Sequence, residues 1–545
     1  MSPPDPARAS PSPDGAAAPT SLGDRAASGL AWMVIRTVGG KGVRIATLLI
    51  LGAILQPDAF GLFATTASIT AFAGLIQDAG VRDILIQRHR HFERWATAGF
   101  WLSLMMGLSI GILVAALAWP IANFWFRKPE VAGLLLVASL NFPVSALGSV
   151  AMARLNANLQ FKYLVMVSFA EVLCLSSLTV AIAFVTTNVP ALEPYTAYSF
   201  VIPWPIASGL RAYLFWRKVR VRIRPTLHLR RWKYLLGDSF YVTGASIGGV
   251  LFAQAPFLIM GRLMDETSVG YYYFAYRLAA QTVSLFGNNL RSILFPTLSQ
   301  LLHAPRRQTD AFIRAIRLLG HIIVPICAVQ AALIGPILRL LWGDEWMEST
   351  FVAQVLSCTV AFTVMGFSAS SLIQAQGRFG TRFVIGWTGG LCMTVAAAIS
   401  ASVGTIETVA IAVGVTNVAY AVGSLVVAIS RGGGRVSSLV SVFAPPILIS
   451  SAAAAAGWGL GQLVPPTGGL RFTALLQAAV IGTSAFGLVL LLGRVFVPGI
   501  QAEIWNRIGR LLVRRRHRST ARASEAAELR RRSEDPDAVD ASPAP

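Results

Sequence analysis

The sequence predicts an all-α polytopic membrane protein: fourteen transmembrane helices, arranged as two six-helix lobes in parallel repeat plus two extra helices. Three observations predict it. The chain is 54% hydrophobic and only 13% charged, with a mean hydropathy of +0.61, where soluble domains carry about 25% charged residues. Basic residues alternate from one connection to the next. One stretch of sequence is also written twice, 209 residues apart.

The elements follow in order. Residues 1–28 are rich in Pro, Ala and Ser and lack the apolar core of a secretory signal, so they read as a disordered cytoplasmic tail. Apolar segments of bilayer length, each needing roughly 20 residues, lie near 29–54, 60–80, 96–122, 131–153, 163–186, 195–216, 234–260, 269–296, 312–342, 350–375, 379–402, 407–430, 438–463 and 473–497. The even-numbered connections hold 22 Lys and Arg, the odd-numbered ones four: Arg127, Lys128, Arg262 and Arg471. Basic connections stay inside, so both termini are expected in the cytoplasm. A missed span would invert every later connection and spoil the alternation.

The net charge of +21 is therefore spread over cytoplasmic connections, and nucleic acid is not the expected partner. The stretch 501–519 spaces Ile504, Trp505, Ile508, Leu511 and Leu512 helically among arginines. It reads either as an interfacial helix on anionic membrane lipids or as a solvated basic tail. Cys174, Cys327, Cys358 and Cys392 show no metal spacing and read as small buried hydrophobes.

The repeat sets the domain plan. At an offset of 209, nine of the 42 residues from 46 to 87 recur identically, among them Gly52 on Gly261, Gly61 on Gly270 and Arg82 on Arg291. Segment one then falls on seven, giving an N-lobe at 29–216, a basic link at 217–233, a C-lobe at 234–430, segments thirteen and fourteen at 431–500, and the tail at 501–545. An even number of segments per lobe makes the repeat parallel, the plan of two lobes rocking about a central cavity. Arg82 and Arg291 end their segments where a cation suits the lipid headgroups. The other reading is a gate at the cytoplasmic mouth.

Charges that do not repeat point to a site. Segment one carries Arg36, Lys41 and Arg44, whose counterparts at the offset are Ala245, Val250 and Ala253. At about 100° per residue the three cations fall within one arc and span about 12 Å. Each costs about 2.5–3.5 kcal/mol near a bilayer centre, which favours a face on water or on an anion. In segment eight Arg277, Gln281, Ser284, Asn288 and Arg291 share one helical face, as cavity lining or as polar glue between helices. Asp78, Glu171 and Asp238 would pair with buried cations or carry a coupling proton. His321 is expected at an interface. A cationic cavity suits a large anionic substrate, a lipid-linked diphosphate first, because guanidinium matches phosphate oxygens in pairs.

Four stretches, "FGLFATTASITAFAGLIQDAGVRDILIQR", "VGYYYFAYRLAAQTVSLFGNNLRSILFPTLSQL", "LIGPILRLLWGDEW" and "IQAQGRFGTRF", resemble the oligosaccharide flippases. These are polysaccharide-biosynthesis membrane proteins of the multidrug and oligosaccharidyl-lipid exporter superfamily. The resemblance implies translocation of polyprenyl-diphosphate-linked oligosaccharide for exopolysaccharide, capsule or O-antigen synthesis, with other polysaccharide-assembly proteins as partners and no cofactor. It leaves a peptidoglycan-precursor flippase open. A drug or ion antiporter would want carboxylates where these cations stand. A membrane-embedded polysaccharide polymerase would want a sizeable outer loop. The sequence holds no P-loop or zinc signature, so an ion gradient or substrate flux would supply the energy.

Overall fold

The computed structural model describes residues 39–78, 85, 92–219, 221, 223–226, 232, 240–465 and 469–496, with the side chains of 282–293 and a few others left out. Arg36, Arg82 and Asp238 lie outside the described residues, as do the tails and the side chains of Asp78, Ser284, Asn288 and Arg291.

Regular structure among the described residues is helical. The first half comprises α1 (39–54), α2 (Pro57–Asp78), α3 (Phe92–Pro120, extended by a π-helical turn, Ile121–Phe126), and the consecutive α4 (Glu130–Ser139), α5 (Asn141–Leu147) and α6 (Ser149–Ala157). It continues with α7 (Phe161–Asn188), a 3₁₀ segment (Pro190–Phe200) and α8 (Pro203–Lys218). The second half comprises α9 (Phe240–Leu263), α10 (Glu266–Ser299), α11 (Pro305–Trp342), α12 (Ser349–Ala375), α13 (Phe379–Val403) and α14 (Ile406–Ser430), followed by α15 (Ser438–Gln462) and α16 (Leu470–Phe496).

Eleven of the described helical stretches are long and apolar enough to cross a membrane. The predicted segments outside that set correspond to α1, α8 and α10. The described parts of α1 (39–54) and α8 (Pro203–Lys218) are shorter than the roughly 20 residues a span needs. Exposed apolar residues such as Ile112 (67%) and Ile399 (65%) suit a surface that meets lipid. The cysteines show the same logic. Only Cys327 is buried, while Cys358 and Cys392 are exposed, because an apolar side chain in a membrane protein need not seek the interior.

The chain divides into two compact units. The first joins Met1–Leu51, Ala73–Trp119 and Ala132–Thr243. Here Gln77 Nε2 donates to Phe142 O at 2.7 Å and to Ser145 Oγ at 3.0 Å, tying α2 to α5. An added Cβ on Gly107 would stand 2.8 Å from Phe142 O, so α3 crosses α5 closely. The basic link is held against α3: Trp101 Nε1 donates to Arg224 O at 2.9 Å, and Trp232 Nε1 to Ala98 O at 3.1 Å.

The second unit joins Gly52–Phe72, Pro120–Val131 and Gly244–Pro545. Its central helix, α12, is lined with small residues. Gly366 lies against Ala421 of α14, with an added Cβ only 2.8 Å from the Ala421 Cα. Buried Ser357, Ser368 and Ser371 keep its other contacts close.

Candidate functional site

The second unit contains a clasp at one end, where 52–72 and 120–131 meet α9, α10 and the α11–α12 connection. Gly61 lies against the carbonyl of Glu266, and Gly270 lies against the carbonyl of Pro57. A side chain at either glycine would occupy the space of the facing backbone. Pro57 and Glu266 are 209 residues apart, as are Gly61 and Gly270, so each contact is the other with its partners exchanged. A second exchanged set brackets it. Gly52 packs on Phe274 with an added Cβ at 3.0 Å, and Gly261 on Thr65 at 2.9 Å.

Aromatic rings fill the space around this crossing. Trp346 is fully buried and stacks on Phe274 with centroids 4.0 Å apart, while Phe60 meets Trp346 edge-on at 5.3 Å. The Trp346 indole donates to Gly52 O at 2.8 Å, which satisfies a hydrogen that burial would otherwise strand. Lys128 is 9% exposed, yet its ammonium is met twice, by Met264 O at 2.9 Å and Glu266 Oε1 at 3.1 Å. Asp265 caps α10 by accepting from Ser268 N at 2.9 Å. Burial opposes its ionisation, but the Ser268 hydrogen bonds and the Lys128 charge outweigh this and hold its carboxyl below the usual range.

The sequence-predicted site residues lie on three helices. On α1, Val43, Ala46, Thr47 and Ile50 line an apolar cleft against α7. Lys41 and Arg44 fall roughly 100° or more around the helix from that face. Lys41 is half-buried and Arg44 exposed, and neither is without a partner. On α10, Arg277 is exposed, but one turn back it finds buried Tyr273. Its Nε donates to Tyr273 Oη at 2.6 Å, and its guanidinium lies 5.1 Å from the ring centroid. Gln281 is half-buried and also engaged. The helix is unbroken, so positions 277, 281, 284, 288 and 291 keep one backbone face. Glu171 of α7 pairs with Arg211 of α8 at 2.8 Å, both about three-quarters buried.

Three participants escaped the sequence reading. Arg211 stood in plain view as a cation inside an apolar segment. Lys128 was counted only as an outer-loop charge. Trp346 carried no signal beyond its place in the acidic "WGDEWMEST".

Comparison with known proteins adds the family. The chain is similar to the succinoglycan biosynthesis transport protein ExoT of Rhizobium meliloti (strain 1021), 25% identical over 58% of this chain and 62% of that protein. It therefore matches less than two thirds of that relative's length. It is similar to the lipopolysaccharide biosynthesis protein WzxC of Escherichia coli (strain K12), 24% identical over 67% of this chain and 72% of the relative. In fold it is similar to the lipid II flippase MurJ in an inward closed conformation, with a TM-score of 0.66 at 14% identity, covering 86% of this chain and 98% of that one. Residues 50–351, more than half the chain, match the polysaccharide biosynthesis protein family. They contain the glycine crossing, the aromatic cluster and the α10 stripe, and on that match the chain belongs to this family.

Proposed function

We propose that this chain is an alternating-access flippase, not an enzyme, that carries polyprenyl-diphosphate-linked oligosaccharide across the bacterial inner membrane. The product would feed an exopolysaccharide, capsule or O-antigen. Both termini are cytoplasmic, and the fourteen segments form lobes at 29–216 and 234–430 joined by the link 217–233. The observation that carries the reading is the exchanged crossing of Gly61 and Gly270 in a chain of this family. Contacts that interconvert at a constant offset are what a two-fold axis along the membrane normal produces.

The charge count places the clasp on the outer side, where it is the closure a substrate must open to leave. Lys41 and Arg44, with Arg36 before them, hold the diphosphate from α1. Arg277 and Gln281 are the substrate-binding candidates of α10, with Asn288 and Arg291 further along the same face. Tyr273 fixes the Arg277 guanidinium, so less side-chain entropy is lost when phosphate binds. Arg82 and Asp78 sit near the cytoplasmic mouth. Glu171, engaged by Arg211, serves as a structural pair rather than a coupling carboxylate. The names of the two relatives, from succinoglycan and lipopolysaccharide biosynthesis, favour cell-surface polysaccharide over peptidoglycan precursor.

The test is export in cells. A well-expressed Lys41→Ala/Arg44→Ala variant should stop polymer production and leave lipid-linked units on the cytoplasmic leaflet. Arg44→Lys should retain part of it, because charge survives without the bidentate fork. Normal polymer from the double variant would end the reading of these cations as diphosphate ligands.

A further inference from the structure

A cleft of about 740 Å³ opens in the second unit among α11, α15 and α16. Its walls are apolar, with Leu448 and Phe496 exposed at 69% and 70%. One end is polar. Arg317 Nη2 donates to Ser441 Oγ at 2.8 Å, and the Arg317 Nε–H, shielded from solvent, has no acceptor among the described residues. One turn on, the His321 Nδ1–H meets Arg317 O at 2.8 Å, which leaves the buried Nε2 without a partner among the described residues. Among the described residues no carboxylate lines the cleft. Two cationic or cationisable groups with hydrogen-bonding capacity to spare thus stand at the mouth of an apolar slot.

Depth decides what the slot suits. Trp342 ends α11 at the clasp, and Arg317 lies 25 residues back, about 37 Å along the axis. A bilayer measures roughly 40–45 Å when its headgroup regions are included. Arg317 and His321 therefore stand at headgroup level opposite the clasp, which the proposed orientation makes the inner leaflet. We infer that this cleft is a binding site for an anionic glycerophospholipid, with its phosphate on Arg317 and His321 and one acyl chain along Leu448, Ala452 and Phe496.

The chemistry accounts for the unpaired atoms. A phosphate oxygen accepts from the free edge of the guanidinium, and an imidazolium donates through Nε2 while Nδ1 keeps its carbonyl. A buried donor without an acceptor is costly in the absence of a ligand, and a phosphate supplies several acceptors at once. The site shares no residue with the α1 and α10 candidates. Its occupant is a resident lipid rather than cargo. The inference rests on the proposed orientation for the leaflet alone, not for the binding.

Native mass spectrometry of the full-length protein in detergent tests it, with phosphatidylglycerol or phosphatidylcholine added at equal concentration. The wild type should retain one phosphatidylglycerol at least tenfold over phosphatidylcholine. Arg317→Gln/His321→Ala should lose that preference. Leu448→Trp/Ala452→Phe, which keeps the cations and fills the slot, should lose it too. Both substituted residues are exposed, so this variant carries the test if the first does not fold. Equal retention of the two lipids by the wild type, or undiminished retention by the folded variants, would overturn the site. Displacement by millimolar inorganic phosphate would reduce it to an ion site and overturn the lipid. Displacement by a synthetic polyprenyl diphosphate would make the cleft part of the cargo path and overturn a resident lipid. Loss of flipping with lipid retention intact would count against the proposed function alone.

Discussion

Trp346 donates its indole hydrogen to the carbonyl of Gly52 at 2.8 Å, bridging 294 residues of sequence. The ring is wholly buried and stacked on Phe274, so the bond and the packing can be separated by substitution. Trp346→Phe keeps most of the stack and leaves the Gly52 carbonyl unpaired, which should cost about 1–3 kcal/mol. Trp346→Ala should cost about 3–5 kcal/mol. Thermal unfolding in detergent should rank the wild type above the Phe variant and the Phe variant above the Ala variant. A Phe variant as unstable as the Ala variant would show that ring shape rather than the hydrogen bond matters.

Gly61→Ala and Gly270→Ala each place a methyl against facing backbone. The helices must part, and the outer closure proposed for this crossing should weaken. Polymer export should fall at least tenfold in each. The double variant should be little worse than either single one, because both methyls open the same crossing and the effects cannot add. Independent, multiplicative losses would show that the two contacts are not one feature.

Lys128 meets Glu266 and Met264 O with little solvent. Lys128→Met strands a carboxylate that is about one-third exposed, so the cost should be about 1–2 kcal/mol rather than that of a fully buried ion. Glu266→Gln should cost less, since the Met264 carbonyl still receives the ammonium. A double-mutant cycle on melting temperature measures the coupling, and zero coupling would remove the pair from the clasp.

Asp265 holds its α10 cap with a carboxyl below the usual range. Its unfolded value is about 3.9. A group lowered on folding contributes fully above that value and loses its contribution as pH falls through the folded one. Asp265→Ala should destabilise by about 1 kcal/mol at pH 7. The gap between wild type and variant should close below about pH 4. A gap independent of pH would show that the contribution does not come from the charge.

Glu171 and Arg211 form a structural pair at 2.8 Å. Glu171→Ala should destabilise and lower expression, while Glu171→Leu/Arg211→Met should recover both, since replacing the whole pair removes its desolvation cost as well. A stable Glu171→Gln protein with no export, and no recovery in the double variant, would return Glu171 to a proton-coupling role.

Much of the helical plan was legible because membrane solvation leaves little choice. An apolar run must become a helix, and its flanking charges must stay in water. The glycines at 52, 61, 261 and 270 were legible as a repeat, but not as each other's neighbours. A constant offset shows equivalence, whereas contact across an axis needs coordinates. Lys128 was legible only as charge, because its satisfaction comes from a carbonyl 136 residues away. The backbone face shared by 277, 281, 284, 288 and 291 was legible from helical spacing, and the Tyr273 support under Arg277 could have been read at the same i−4 spacing. The pinning of the link by Trp101 and Trp232 rests on backbone carbonyls that no side-chain pattern announces.

The crossing at Gly61 and Gly270 carries a history as well as a closure. Identical half-length chains meeting across a two-fold axis would form it from a single glycine used twice, facing a single carbonyl used twice. In such an ancestral dimer one substitution would strike both sides of the interface together. Fusion into one polypeptide would have removed that tie and left each copy free to drift with its own neighbours. Cations could then accumulate on α1 while Ala245, Val250 and Ala253 took their places on α9. The glycines would have stayed matched, because each presses on the backbone that faces the other, and asymmetry would have been left to grow away from this crossing.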